Sequence, residues 1–321
     1  MSSIADYSEI AESEINNQKK SKKTKFFCII FVIVFLLLVS GAIYYIKKKY
    51  DEKNYLQRSF EAYYNSYSPP GTEKPADLPK VIEAPKKTGK VIKIPILMYH
   101  YILDPATMGD PVVQNLSVSP VNLEEQIRYF VLNGYEITDL DELYTNLKNK
   151  ETSNINKIVL SFDDGYDNFY TNAYPILKAR NIKASVFIIT DRIGTLNYLT
   201  WNQVIEMDRS GLITIGSHTL NHAYLIGADK EKATREILDS KSIIESHLGH
   251  SISYFCYPYG AFDFQAMQLV EQSGYKMALS TIQGIDQTYN DRYWLERIRV
   301  GQSYTGSSIE YKINEFRIQN Q

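Results

Sequence analysis

Asp163 and Asp164 lie in the stretch Ser161-Phe162-Asp163-Asp164-Gly165, which ends the apolar run Lys157-Ile158-Val159-Leu160. Such a run reads as a short buried strand. Two adjacent carboxylates at the end of a buried strand are costly unless they are paired or hold a metal, and Gly165 lets the backbone turn sharply there. About fifty residues on comes Ser217-His218-Thr219-Leu220-Asn221-His222, after a second apolar run, Leu212-Ile213-Thr214-Ile215. Two histidines four apart share a face if the chain makes a helical turn. One aspartate with two histidines makes a three-ligand metal site with positions left open for water. Taken alone, the aspartate pair also fits a cap and turn ahead of a helix, and the histidines a hydrogen-bonded core pair.

Together, SFDDG and HTLNH resemble the motifs of polysaccharide deacetylases of the NodB-homology type, carbohydrate esterase family 4. The resemblance runs from about residue 94 to about residue 317, with each motif following a strand. It implies that Asp164, His218 and His222 are metal ligands and that Asp163 is the general base. It implies one divalent cation, Zn(II) first, with Co(II) or Ni(II) also suited to an Asp-His-His site. Ser217 and Thr219 are candidates to brace a ligand. Phe255-Cys256-Tyr257-Pro258-Tyr259-Gly260 resembles the family's Arg-x-Pro-Tyr motif, with Pro258 and Tyr259 in place but Cys256 where the arginine belongs. The resemblance makes the backbone N–H of Tyr259 an oxyanion donor. Arg297 or Arg299, from another strand, is the candidate to replace the missing arginine beside the base. Cys256 reads as a small buried packing residue, since no nucleophile motif surrounds it.

The family's final Leu-x-His is absent, because no histidine follows His250. Met98-Tyr99-His100 instead resembles the branch that deacetylates poly-N-acetylglucosamine, which makes His100 a candidate for substrate contact or proton delivery. Pro258, Tyr257, Trp201 and Arg297 complete the expected substrate-binding set, with the rings of Trp201 and Tyr257 offered for stacking on a sugar.

The elements that must position these groups alternate. Strands are expected near 94–100, 157–161, 184–189, 212–215, 252–256, 276–280 and 295–300. Helices are expected at 122–133, 168–179, 200–208, 230–247, 264–273 and 307–317. That order argues for a parallel α/β architecture, and the resemblance makes it a distorted (β/α)7–8 barrel, preceded by a single transmembrane helix. Barrel sites lie at the C-terminal ends of strands, where Asp163, Asp164, His218 and Pro258 all fall.

The 321 residues, 44% hydrophobic and 22% charged, suit one large domain with appendages. Lys+Arg at 35 against Asp+Glu at 37 gives no basic excess, so no nucleic-acid partner is expected. The 26 tyrosines suit a carbohydrate groove but also a base-composition bias. Cys28 and Cys256 are not expected to pair. Residues 1–25 read as a disordered cytoplasmic tail. Residues 26–46 form an uncharged apolar run long enough to cross a bilayer. Residues 47–90 carry the prolines of an extracytoplasmic stalk, and 91–321 are the domain. Five lysines before the run against three after it favour a cytoplasmic N-terminus and an uncleaved anchor, with a cleaved leader as the rival.

The expectation is therefore a membrane-anchored, metal-dependent hydrolase of N-acetyl groups on peptidoglycan or poly-N-acetylglucosamine. The alternatives are a glycan-binding pseudoenzyme of the same fold and an O-acetyl esterase on xylan-like glycans.

Overall fold

The structure, a computed structural model, describes residue 41 and residues 87–150 and 156–319. The expected tail, the membrane run apart from residue 41, and most of the stalk lie outside the described residues. Among the described residues no helix is long and apolar enough to cross a membrane.

The domain is organised by strand β4 (Lys157–Phe162), in which all six residues are buried. A strand without polar alternation is covered on both faces, the condition of a parallel sheet wrapped by helices. The other strands of the ring are β2 (Ile96–Tyr99), β5 (Ala184–Ile188), β6 (Ile213–Ser217), β7 (Tyr254–Cys256), β8 (Met277–Gln283) and β10 (Leu295–Arg299). All pair in parallel, in the order β2-β10-β8-β7-β6-β5-β4, and a β2–β4 pairing closes the ring. The expected barrel is present with seven strands. Strand β3 (Glu136–Thr138) pairs only with the first half of β4, and the two-residue strands β1 (Ile92–Lys93) and β9 (Asp286–Gln287) form a separate antiparallel ribbon.

Helices α1 (Pro111–Leu116), α2 (Pro120–Leu132), α3 (Leu140–Asn149), α4 (Tyr174–Ala179), α5 (Trp201–Arg209), α6 (Lys230–Leu248), α7 (Phe264–Gln272) and α8 (Gly306–Gln319) complete the described part. Their starts are written in the sequence. Ser119 caps α2 with Pro120 at its first position, Thr200 and Gln203 form a capping box on α5, and Asp229 and Asp263 cap α6 and α7. Strand β3 and helix α3 were not foreseen, although Asp139 before Glu142 is a cap signal, and Asp139 does accept from the Glu142 N–H. Residues 168–179, expected as one helix, form a π-helical turn (Phe169–Ala173) that runs into α4.

The period of two along each strand decides which residues face the barrel interior. Val159, Phe187, Tyr254, Cys256, Leu279 and Leu295 belong to one buried cluster, whereas Leu160, Phe162, Phe255 and Ile298 pack in the other, beneath the helices. Asp163 continues the parity of Val159, and Arg297 that of Leu295. Both are thereby aimed at the interior face that Cys256 also shares.

Candidate active site

Asp164 has the left-handed φ of +75°, held in a turn that Gly165 continues at +76°. Its carboxylate is buried, and Oδ1 lies 3.3 Å from Nε2 of His218 and 3.3 Å from Nε2 of His222, yet has no hydrogen-bond partner. The two imidazoles stand edge to face at 4.9 Å. The His218 Nδ1 donates to the Cys256 carbonyl at 2.8 Å, which orients the ring and leaves Nε2 as the atom turned to Asp164. An orphaned carboxylate oxygen between two imidazole nitrogens is what a cation would satisfy. The ligand atoms of Asp164, His218 and His222 all lie within 4.8 Å of one another. Burial alone would push the Asp164 carboxyl up; the two facing imidazoles outweigh it and hold it well below the usual range.

The histidines do not meet on a helical turn, as the spacing suggested. Residues 218–222 form a loop in which Thr219 (φ +66°) and His222 (φ +68°) are both left-handed. Such conformations are costly for residues with a β-carbon and persist where surroundings enforce them. Thr219 Oγ1 accepts from the N–H groups of His222 at 3.0 Å and Ala223 at 3.3 Å. The buried Glu236, reaching in from α6, accepts from Leu220 and Asn221 N–H at 3.1 Å each. Nothing in the sequence pointed to Glu236, which sits on a helix that reads as polar. Ser217 does not brace a ligand: its hydroxyl shares a 2.8 Å bond with Ser240.

Asp163 is gripped in bidentate fashion by Arg297, with Nη1 2.8 Å from Oδ1 and Nη2 2.7 Å from Oδ2. The guanidinium is fully buried, and its remaining protons go to the Ser280 carbonyl at 2.7 Å, Ser161 Oγ at 3.2 Å and Cys256 Sγ at 3.1 Å. All five donors are used, which is the condition for burying a guanidinium at tolerable cost. Of the two arginines considered from sequence, Arg297 makes this contact; Arg299 instead pairs its backbone with Gln283. Cys256, in place of an arginine, leaves room for a guanidinium arriving from β10. Burial would raise the Asp163 carboxyl, but Arg297 outweighs it and keeps it below the usual range. Burial pushes the Cys256 thiol up.

His100 follows β2 and is 8% exposed. Burial pushes it down to about 4, against the pull of Asp164 and Asp163. Pro258 opens a tight turn (Pro258–Gly260) in which Tyr259 has φ +59° and Gly260 +65°. A β-carbon at Gly260 would fall 1.9 Å from Thr281 Oγ1, so that turn requires glycine. The Tyr259 ring lies against His222 at 4.4 Å and is stacked on Tyr224 at 3.9 Å.

Two expected sugar-stacking rings are placed elsewhere. Tyr257 is fully buried between Phe255 and Phe262, because the parity of β7 turns it towards the helix layer. Trp201, in the first turn of α5, stacks on His247 at 3.7 Å. His247 is in the last turn of α6, about 25 Å of helix beyond the start of that element.

The family model for polysaccharide deacetylase matches residues 150–278. YxkH of Bacillus subtilis is 32% identical over 223 residues, covering 70% of this chain and 77% of its own. The poly-beta-1,6-N-acetyl-D-glucosamine N-deacetylase of Staphylococcus aureus is 26% identical over 202 residues, covering 59% of this chain and 69% of its own. Among solved structures, the Streptococcus pyogenes deacetylase PplD, in complex with acetate, superposes with a TM-score of 0.64 at 31% identity, covering 70% of this chain and 99% of that one. With the SFDDG and HTLNH loops converging at the C-terminal ends of a seven-stranded barrel, and with relatives of this identity and coverage, the chain belongs to the polysaccharide deacetylase family.

Proposed function

We propose that the domain hydrolyses N-acetyl groups of N-acetylglucosamine-type residues in an extracytoplasmic polysaccharide, either peptidoglycan or poly-N-acetylglucosamine. In this reading Asp164, His218 and His222 hold one divalent cation, Zn(II) before Co(II) or Ni(II). The observation that carries it is the buried Asp164 Oδ1 facing two Nε2 atoms at 3.3 Å, beside an Asp163 gripped by Arg297. A divalent cation held there would acidify water and polarise the acetyl carbonyl.

The chain's own groups then divide the work. Asp163, kept ionised by Arg297, takes a proton from the attacking water as its oxygen joins the acyl carbon. The Tyr259 N–H donates to the oxyanion. The C–N bond breaks as nitrogen takes up a proton, leaving acetate and a free amine. His100 is uncharged at neutral pH, so it serves as a hydrogen-bonding group at the substrate and not as a stored acid; the proton for the amine is the one Asp163 took. The named activity of the Staphylococcus aureus relative supports poly-N-acetylglucosamine, and the acetate in the Streptococcus pyogenes structure suits a deacetylase product. The uncharged run at 26–46, following a lysine cluster, supports an anchor with the domain outside the membrane.

The test is acetate release by the full chain, stripped of metal and given Zn(II) or Co(II), on N-acetylglucosamine oligomers, peptidoglycan and acetylated xylan. Metal-restored release that drops at least about a hundredfold in Asp163→Asn and His218→Ala is expected. Release from xylan alone would transfer the assignment to an O-acetyl esterase. Sugar binding without any release would replace it with a glycan-binding protein.

A further inference from the structure

Tyr224 lies two residues beyond His222 on the loop after β6, is 7% exposed, and has no part in the chemistry above. Its ring is stacked on that of Tyr259, with centroids 3.9 Å apart and 5° between the planes. Tyr259 in turn meets His222 at 4.4 Å with 59° between the planes. The two imidazoles of the proposed site differ in what holds them. His218 is anchored by its Nδ1 bond to the Cys256 carbonyl, whereas the Nδ1 of His222 is buried and has no hydrogen-bond partner among the described residues. The loop's own bonds stop short of the ring, because Thr219 Oγ1 accepts from the backbone N–H groups of His222 and Ala223. Across from it, Tyr259 is left-handed at φ +59° in the turn Pro258–Gly260. There the Gly260 N–H donates to the Tyr257 carbonyl at 2.9 Å, and Thr281 Oγ1 donates to the Tyr259 carbonyl at 3.2 Å.

We infer that Tyr224 is a positioning residue, which acts through the Tyr259 ring to hold the His222 imidazole at the angle from which its Nε2 faces Asp164. This rests on the proposed site, in which His222 is a cation ligand. The torsion that swings an imidazole about its Cβ–Cγ bond has broad minima, so a ring without a hydrogen bond takes its angle from what it packs against. A metal-bound histidine ordinarily has that angle fixed by a hydrogen bond from its second nitrogen. Here aromatic contact stands in for that bond. Tyr224 and His222 belong to one loop and Tyr259 to another, so the stack also fastens the ligand loop to the turn that carries the Tyr259 N–H. Both sides contain left-handed residues, which persist only where neighbours enforce them. A stacked ring suits the task, since it adds a flat and rigid contact beyond its apolar area.

The experiment titrates the metal-free full chain with Zn(II) or Co(II) against a chelator, beside Tyr224→Leu, Tyr224→Phe, Tyr259→Leu and the double variant of the two leucine changes. Tyr135→Leu is the control for general loss of packing, since Tyr135 is a buried ring against Phe130, just before β3 at the opposite end of the barrel. Tyr224→Leu should weaken cation affinity about 3- to 10-fold and alter the visible absorption of the Co(II)-loaded protein, which reports ligand geometry. Tyr224→Phe should keep both, and adding Tyr224→Leu to Tyr259→Leu should cost nothing further. If Tyr224→Leu does not fold, Tyr224→Met is read in its place. Wild-type affinity and spectrum in Tyr224→Leu overturn the inference, as does an equal loss in Tyr224→Phe or in Tyr135→Leu. Acetate release is followed in parallel. If wild-type protein binds cation but releases no acetate, the deacetylase reading falls alone and the affinities still decide Tyr224. If it binds no cation, both fall.

Discussion

At the scale of single residues, the decisive pair is Asp163 and Arg297. A buried carboxylate survives ionised only if a cation and hydrogen bonds compensate it, and Arg297 supplies both from a strand 134 residues away. Removing that guanidinium while keeping Asp163 leaves an unpaired buried charge. Arg297→Gln should therefore lose about 3–5 kcal/mol of stability in urea unfolding and raise the pH at which Asp163 ionises, moving the acid limb of the acetate-release profile upwards. Cys256→Arg in the Arg297→Ser background should recover part of the activity, since it returns a guanidinium to the position where the family motif has one. An unshifted acid limb in Arg297→Gln would refute the bracing role.

At the scale of elements, the two histidines depend on a loop that has no regular structure. Its left-handed residues at 219 and 222 are held by the Thr219 hydroxyl and by Glu236 on α6. Glu236 is itself buried, and burial raises its carboxyl despite the two N–H donors. In the proposed site Glu236 braces the loop that carries two cation ligands, so Glu236→Ala should weaken divalent-cation affinity about 10- to 100-fold in chelator competition. Glu231, exposed on the same helix and paired with Arg235, is the control whose replacement should leave the affinity alone. Equal affinities in the two variants would remove Glu236 from the account. Helices α2, α5, α6 and α7 were legible in sequence because the spacing of apolar residues is a local signal; the caps Ser119, Thr200, Asp229 and Asp263 set where they start. Glu236 was not legible, since its partners lie 15 and 16 residues away and its helix reads as solvated.

For the whole molecule, a barrel that places ionisable groups at its core couples its stability to pH. His100 is pushed from 6.5 to about 4 on folding. Between those values the unfolded chain binds the proton that the folded one refuses, so stability falls as pH drops through that window. The difference is on the order of 3 kcal/mol. Asp163 and Asp164, held below 3.8, lose their contribution only at lower pH. In metal-free protein, the decline in unfolding free energy from pH 6.5 to 4 should be smaller by about that amount in His100→Gln than in wild type. Identical slopes would show that His100 is not buried as a neutral group.

The sequence by itself determined the family motifs and their order along the chain. SFDDG and HTLNH each follow an apolar run, and alternating strands and helices imply a parallel α/β architecture, because residue type and period are local properties; the barrel, with its site at the strand ends, was implied by the family resemblance. Tertiary structure alone decided who partners whom. It chose Arg297 over Arg299 to grip Asp163: the two share a face of β10, and the one that lies deeper along the strand, fully buried, is the one that meets the carboxylate. It turned Tyr257 into the helix layer and set Trp201 against His247, away from the sugar-stacking role their types had suggested. It also brought Tyr224 and His222 of one loop against Tyr259 of another. Such meetings depend on where distant strands place their ends, and no short stretch of sequence contains that information.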